Sequence, residues 1–143
     1  MELVGRLSQK FVLMHVSGIP VRADVRWLAV LLVISGVIAG GIAPITGSLA
    51  VSFALGLSAT LVFFVSIFIH EFSHAAVARM EGLRVVEIVL HPFGGLTRFA
   101  SEPDSPRAEF RVAIAGPAAS FVLAGVFGAA AGPAGAAGAP RCP

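Results

Sequence analysis

The chain has 143 residues, of which 57% are hydrophobic and only 13% charged, with a mean hydropathy of +0.91. Soluble globular domains carry about 25% charged residues, so this balance excludes a water-soluble fold and indicates an integral membrane protein. The formal charge of +2 does not signal nucleic acid, because the basic residues lie outside the apolar segments, singly and mixed with acids. Cys142 is the single cysteine, which excludes an internal disulfide framework and a cysteine-based metal cluster.

Taken in chain order, residues 1–26 form an N-terminal segment in which Phe11 to Val16 and Val21 to Val25 flank Gly18-Ile19-Pro20 as a candidate β-hairpin. Phe11 to Val16 is too short for the apolar region of a signal peptide, and Gly18-Ile19-Pro20 breaks any continuation of it. A spanning helix needs about 20 predominantly apolar residues. Three stretches within residues 27–131 qualify, at about 27–43, 49–80 and 108–131, with Pro44-Ile45-Thr46-Gly47-Ser48 read as a tight turn. Between the second and third, residues 81–107 contain two strand-like runs, Val85 to Leu90 and Leu96 to Phe99, around His91-Pro92-Phe93-Gly94-Gly95. Ser105 caps the third helix, with Pro106 at its first position. Residues 132–143 are rich in Gly, Ala and Pro and read as a flexible tail. The fold class expected is an α-helical multi-pass membrane protein of about three transmembrane helices with short β-hairpins at the cytoplasmic side.

Charge placement sets the orientation. Arg6, Lys10, Arg22 and Arg26 precede the first helix, and Arg79, Arg84, Arg98, Arg107 and Arg111 fall between the end of the second and the start of the third. By the positive-inside rule the N-terminus and the 81–110 loop face the cytoplasm.

The chemistry lies at His70-Glu71-Phe72-Ser73-His74, which reads His-Glu-x-x-His at the end of an uncharged run from Trp27 to Ile69. A helix brings residues four apart onto one face, so two imidazoles can grip one Zn²⁺ while Glu71 stands beside it as a general base. Two imidazoles and a carboxylate in a spanning helix cost several kcal/mol, on the order of 2–4 or more, unless paired or bound to metal. The metal site is therefore the preferred reading over a chance pattern at the headgroup level. His91, before a Pro-Phe-Gly-Gly turn, reads as a turn or interfacial residue rather than a ligand. Gly94-Gly95 has two readings, a plain turn or a backbone that passes close to the active site and leaves an edge strand for an extended substrate. Gly116-Pro117 with Ala115, Ala118, Ala119 and Ser120, and the Gly-x-x-x-Gly pairs Gly36/Gly40 and Gly128/Gly132, read as small-residue packing between helices.

With this intramembrane motif, the following Leu90-His91-Pro92-Phe93-Gly94-Gly95, and Ala115-Gly116-Pro117-Ala118-Ala119-Ser120 in the next helix, the chain resembles the site-2 proteases over roughly residues 10–128. These are intramembrane zinc metalloproteases. Gly18-Ile19-Pro20-Val21-Arg22 before Trp27 is similar to the subgroup without an inserted PDZ domain, which often carries CBS domains after the membrane part. The resemblance implies that His70 and His74 bind Zn²⁺, that Glu71 activates water to attack a peptide bond, and that the substrate is a membrane-spanning regulatory protein. The family's third ligand is an Asp in a Leu-Asp-Gly motif on a later helix, and no such motif occurs here; Asp24 and Asp104 stand in other contexts. The expectation is a protease that is a fragment or an incomplete copy, completed by more chain, a second copy or another subunit. The alternative is a catalytically inactive membrane protein that binds partners or substrates without cutting.

The topology is open to cysteine labelling in intact cells. A cysteine at Thr46 should react with an impermeant reagent from outside and one at Ser101 should be protected; the reverse pattern would overturn the orientation.

Overall fold

The computed structural model of the chain describes residues 10–91 and 94–137. In order these form β1 (Lys10–Val16), β2 (Ile19–Asp24), α1 (Arg26–Thr46), α2 (Leu49–Met80), β3 (Val85–His91), β4 (Gly94–Phe99) and α3 (Pro106–Ala137). All three helices are long and apolar enough to cross a membrane. The protein is thus a helical membrane protein with a small sheet at the end of the bundle where α1 starts, α2 finishes and α3 starts.

Several boundaries differ from the sequence reading, each for a local reason. Pro44 lies inside α1, not in a turn. Its missing N–H removes one helical hydrogen bond near the end, which the helix tolerates. The reversal falls at Gly47, whose left-handed backbone (φ 65°) lets its N–H donate to Ala43 O at 3.0 Å. Ser48 then caps α2, its Oγ accepting from the Val51 N–H. Likewise Ser105 Oγ accepts from the Ala108 N–H at the start of α3, as its place before Pro106 suggests. The far end of α3 continues to Ala137, so the first residues assigned to a flexible tail are helical, and residues 138–143 lie outside the described part. In the first hairpin the turn is Ser17-Gly18, both at positive φ (52° and 80°), and Pro20 sits within β2.

The two hairpins form one four-stranded sheet in the order β1-β2-β3-β4. Its outer pairs are antiparallel, and β2 and β3 join in parallel through Val21↔Ile88, Arg22↔Val89 and Ala23↔Leu90. Pro20 precedes this ladder and so removes no bond from it. Alternate residues of β2 (Ile19, Val21, Ala23) and β3 (Ile88, Leu90) pack with Ala75, with Trp27, Phe68 and Phe72 around them. The sheet is thereby seated on the same part of α2 that carries the His-Glu-x-x-His motif. Glu87 in β3, 6% exposed, is neutralised by Arg22 (3.3 Å) and Arg98 (2.9 Å), which ties three strands together.

Deeper in the bundle, α1 and α2 meet through small and hydroxylated residues at four-residue intervals: Leu31, Ser35 and Ala39 against Ser52, Gly56, Thr60 and Phe64. Ser35 Oγ donates to Thr60 Oγ1 at 3.2 Å, and the Thr60 hydroxyl donates back to Gly56 O at 2.8 Å. Apolar tails offer no hydrophobic drive, so close backbone approach and such bonds hold the pair. Gly56 makes the approach possible, since a Cβ there would stand 2.5 Å from Ser35 O. By contrast, Cβ atoms at Gly36, Gly40, Gly128 and Gly132 would meet nothing within 4 Å, so the expected Gly-x-x-x-Gly contacts are not made within the described chain.

Gly56→Val should therefore destabilise the bundle by about 1–3 kcal/mol through overpacking, while Gly40→Ala should leave it unchanged. Thermal unfolding of the detergent-solubilised variants checks this; equal melting of the Gly56 variant and the parent would contradict the contact.

Candidate metal centre

His70 and His74 lie one turn apart on α2, with ring centroids 4.9 Å apart and the rings edge to face. Their Nε2 atoms approach to 3.2 Å. Each ring is held from its other nitrogen by α3. His74 Nδ1 is 2.6 Å from Val112 O, and His70 Nδ1 is 2.8 Å from Ser120 Oγ. A carbonyl can only accept, so His74 Nδ1 carries a proton and donates it to Val112 O, which leaves Nε2 as the ring nitrogen turned toward His70.

Val112, Gly116 and Ser120 are four residues apart and share one face of α3. Gly116 sits between the two anchors. A Cβ there would overlap His74 Nε2 and stand 2.6 Å from His70 Nε2. The missing side chain thus leaves open the space against both nitrogens.

These features fit a Zn²⁺ site as far as the two donors go. Nitrogens bound to one tetrahedral zinc at about 2.0–2.1 Å stand about 3.3–3.4 Å apart, close to the spacing found here. Both rings also have partners for the second nitrogen, as zinc-binding histidines require. A third ligand is not among them: no group of three or more His, Cys, Asp or Glu able to hold a metal occurs among the described residues. Asp24 is buried and bound to Arg26 through both carboxylate oxygens, and Asp104 is exposed in the loop before α3. The side chain of His91 lies outside the described residues.

Glu71 is buried (9% exposed), and Thr97 of β4 donates its hydroxyl toward Glu71 Oε2 (3.1 Å) and Glu71 O (3.2 Å). Gly95 brings the β4 backbone against the same side chain, so close that any Cβ would overlap Glu71 Cγ. Of the two readings of Gly94-Gly95, the close approach is therefore realised at Gly95. A cleft opens on each side of this contact. One, of about 430 Å³, is lined by Phe63, Ser66, Ile67, His70, Glu71 and Ser120 among others. The second, of about 360 Å³, is bounded by Glu71, His74, Leu96, Phe99, Val112 and their neighbours. Glu71 and Gly95 belong to both.

Three residues at this site were not read as such from sequence: Thr97, Gly116 and Ser120. The first gave no signal beyond its strand. Gly116 and Ser120 did carry one, an i, i+4 pair of small residues in a spanning helix, which small-residue packing explains equally well until the partner is seen to be a histidine.

Fold and comparison agree on the class. Residues 58–135 match peptidase family M50. Rip3 of Mycobacterium tuberculosis, a zinc metalloprotease by name, is 43% identical over 75 residues, covering 52% of this chain and 19% of that protein. Zinc metalloprotease MJ0392 of Methanocaldococcus jannaschii is 32% identical over 113 residues, covering 78% of this chain and 29% of the relative. The solved site-2 protease from the same archaeon superposes with a TM-score of 0.63 at 26% identity, over 86% of this chain and 51% of that one. The matched part thus spans less than a third of the length of either Rip3 or MJ0392. What fold and sequence define is a membrane-embedded member of a family of zinc metalloproteases. The chain belongs to peptidase family M50, the site-2 proteases.

Gly116→Ala should force the two imidazoles apart even without metal. The ¹⁵N signals of His70 and His74 in the variant should both shift relative to the parent; unchanged signals would show that α3 does not approach as closely as the geometry states.

Proposed function

We propose that the chain carries the catalytic core of an intramembrane zinc endopeptidase that cuts membrane-spanning regulatory proteins. The observation that carries this is the convergence of His70 and His74 Nε2 beside a buried Glu71 whose carboxylate opens onto two clefts. In this reading His70 and His74 hold the zinc. Bound there, zinc would polarise the scissile carbonyl and lower the pKa of water. Glu71 is the general base that takes a proton from the attacking water and passes it to the departing amine. Thr97 holds the Glu71 carboxylate in place by its hydroxyl. A third protein ligand is expected of a catalytic zinc, and we propose that a further segment or a completing subunit supplies it.

The substrate is proposed to lie extended along β4. That strand is the outer member of the sheet, and the clefts on both sides of Gly95 give room for side chains flanking the cut bond. A helical segment shields its peptide bonds, so unwinding onto an edge strand exposes them. The proposed orientation puts the N-terminus and the 81–110 loop in the cytoplasm. At 1.5 Å per residue the 32 residues of α2 extend about 48 Å, against a hydrocarbon thickness of about 30 Å. His70 and His74 would then lie near the cytoplasmic end, within reach of water.

The lack of a third ligand among the described residues favours one alternative, a protein that binds such substrates without cutting. The variants separate the two. His70→Ala and His74→Ala should sharply lower bound zinc, and Glu71→Gln should retain metal and abolish cleavage when the missing ligand is supplied. Equal zinc in the parent and the double histidine variant would sink the metal site; cleavage that survives Glu71→Gln would sink the role of the base.

A further inference from the structure

The two clefts beside Gly95 differ in depth and in charge. Because α2 runs toward the sheet end and α3 away from it, the cleft lined by Phe63, Ile67 and Ser120 lies deeper in the bundle, and the cleft lined by Leu96, Phe99 and Val112 lies nearer the sheet. Glu109 borders this second cleft. It stands three residues before Val112, whose carbonyl anchors His74, and so shares the face of α3 turned to the site, one turn nearer the sheet end. Ser120, on the deeper cleft, is eleven residues further along, about 16 Å down the helix axis. We infer that Glu109 is a specificity-determining residue that pairs with a Lys or Arg of the substrate on the sheet side of the cut bond. The inference rests on the substrate path proposed above, along β4 and across both clefts.

Glu109 makes no ion pair among the described residues. The arginines of the adjoining elements are engaged elsewhere, Arg98 with Glu87 and Arg111 with Glu81. Arg107, two positions from Glu109, is about 200° round the helix from it. Exposed Glu102 and Asp104 flank Pro103, which lines the same cleft. An apolar trough with an acidic mouth therefore opens toward the end of the bundle where the sheet lies. A long basic side chain matches that shape, its methylene stem on Leu96 and Val112 and its charged head at the rim. The bias that orients this chain also places Lys and Arg at the cytoplasmic flank of a spanning substrate, which is the part that reaches this cleft in the proposed orientation. An acid in the first turn of a helix is favoured by the helix dipole as well. That role acts on folding and is indifferent to the charge of a substrate.

The test uses the purified full chain in nanodiscs of phosphatidylcholine, with p-benzoyl-phenylalanine placed at Leu96 on the cleft near the sheet or at Phe63 on the deeper one, both exposed. The probe is a spanning peptide of leucine and alanine with a Gly-Pro break near one end, followed by a single lysine, glutamine or glutamate. From position 96 the parent should capture the lysine peptide about 2–5-fold more than the glutamine peptide, the range an exposed ion pair gives, and the glutamate peptide least. Salt at about 0.5 M should erase the difference. Glu109→Gln should remove most of the preference. Glu109→Lys should reverse it in favour of the glutamate peptide, a result that loss of folding cannot produce. Capture at both positions with lysine and glutamine peptides taken equally by the parent, or an unchanged preference in Glu109→Lys, would overturn the role of Glu109 and leave the substrate path standing. Capture at neither position would overturn the path, and the inference with it.

Discussion

The approach of α3 to one turn of α2 is the constraint around which the rest of this molecule is arranged. His70 and His74 can face each other only because the helix beside them offers a carbonyl, an empty position and a hydroxyl in register, at Val112, Gly116 and Ser120. A helix repeats its face every three to four residues, and the histidines are themselves four apart, so two antiparallel helices meet here with matching periods. The same rule acts from the other side, where Gly95 lets β4 rest against Glu71. Both glycines are open space that a polar side chain occupies, and both lie where an ordinary side chain would push a catalytic candidate aside.

The bundle also has to accommodate polar groups in an apolar surrounding. In α1 and α2 this is done in pairs: Ser35 with Thr60, Thr46 with Ser52, each hydroxyl satisfied by a neighbour or a helix carbonyl. Such bonds contribute about 0.6 kcal/mol each in membrane proteins, so they guide register more than they add strength. Charged groups are kept to the sheet end, where Glu87 is held by two arginines and Asp24 by Arg26. Glu71 is the exception, an acid in the helical interior whose carboxylate accepts from a threonine hydroxyl.

How much of this was legible in the sequence depended on whether the determining interaction was local. Hydropathy placed all three helices, and the end of α2 at Met80 and the Ser105 cap fell where the residues indicate. The His-Glu-x-x-His spacing put two imidazoles on one face of α2 because one helical turn suffices to do it. Pro44 misled, since proline ends a helix only if nothing else compensates, and the reversal was set instead by the left-handed Gly47. Gly36/Gly40 misled as well: a small-residue pattern states that close packing is allowed, and Gly56, outside any such pair, is where it happens. The union of the hairpins was invisible, because Val21↔Ile88 and its neighbours join segments separated by two whole helices.

That parallel union has a consequence for the order of assembly. Parallel strands need a long crossover, and here the crossover is the entire α1–α2 pair. The sheet can close only after both helices have formed and turned back, so its seam is a late event in folding, governed by the slow search that distant contacts impose. β4 travels with β3, which means that Gly95 and Thr97 reach Glu71 only when the seam has closed. The wall beside the acid comes from β4 and the anchors of the histidine pair from α3, so both depend on contacts distant in sequence, and the site takes shape only when the whole core has been built.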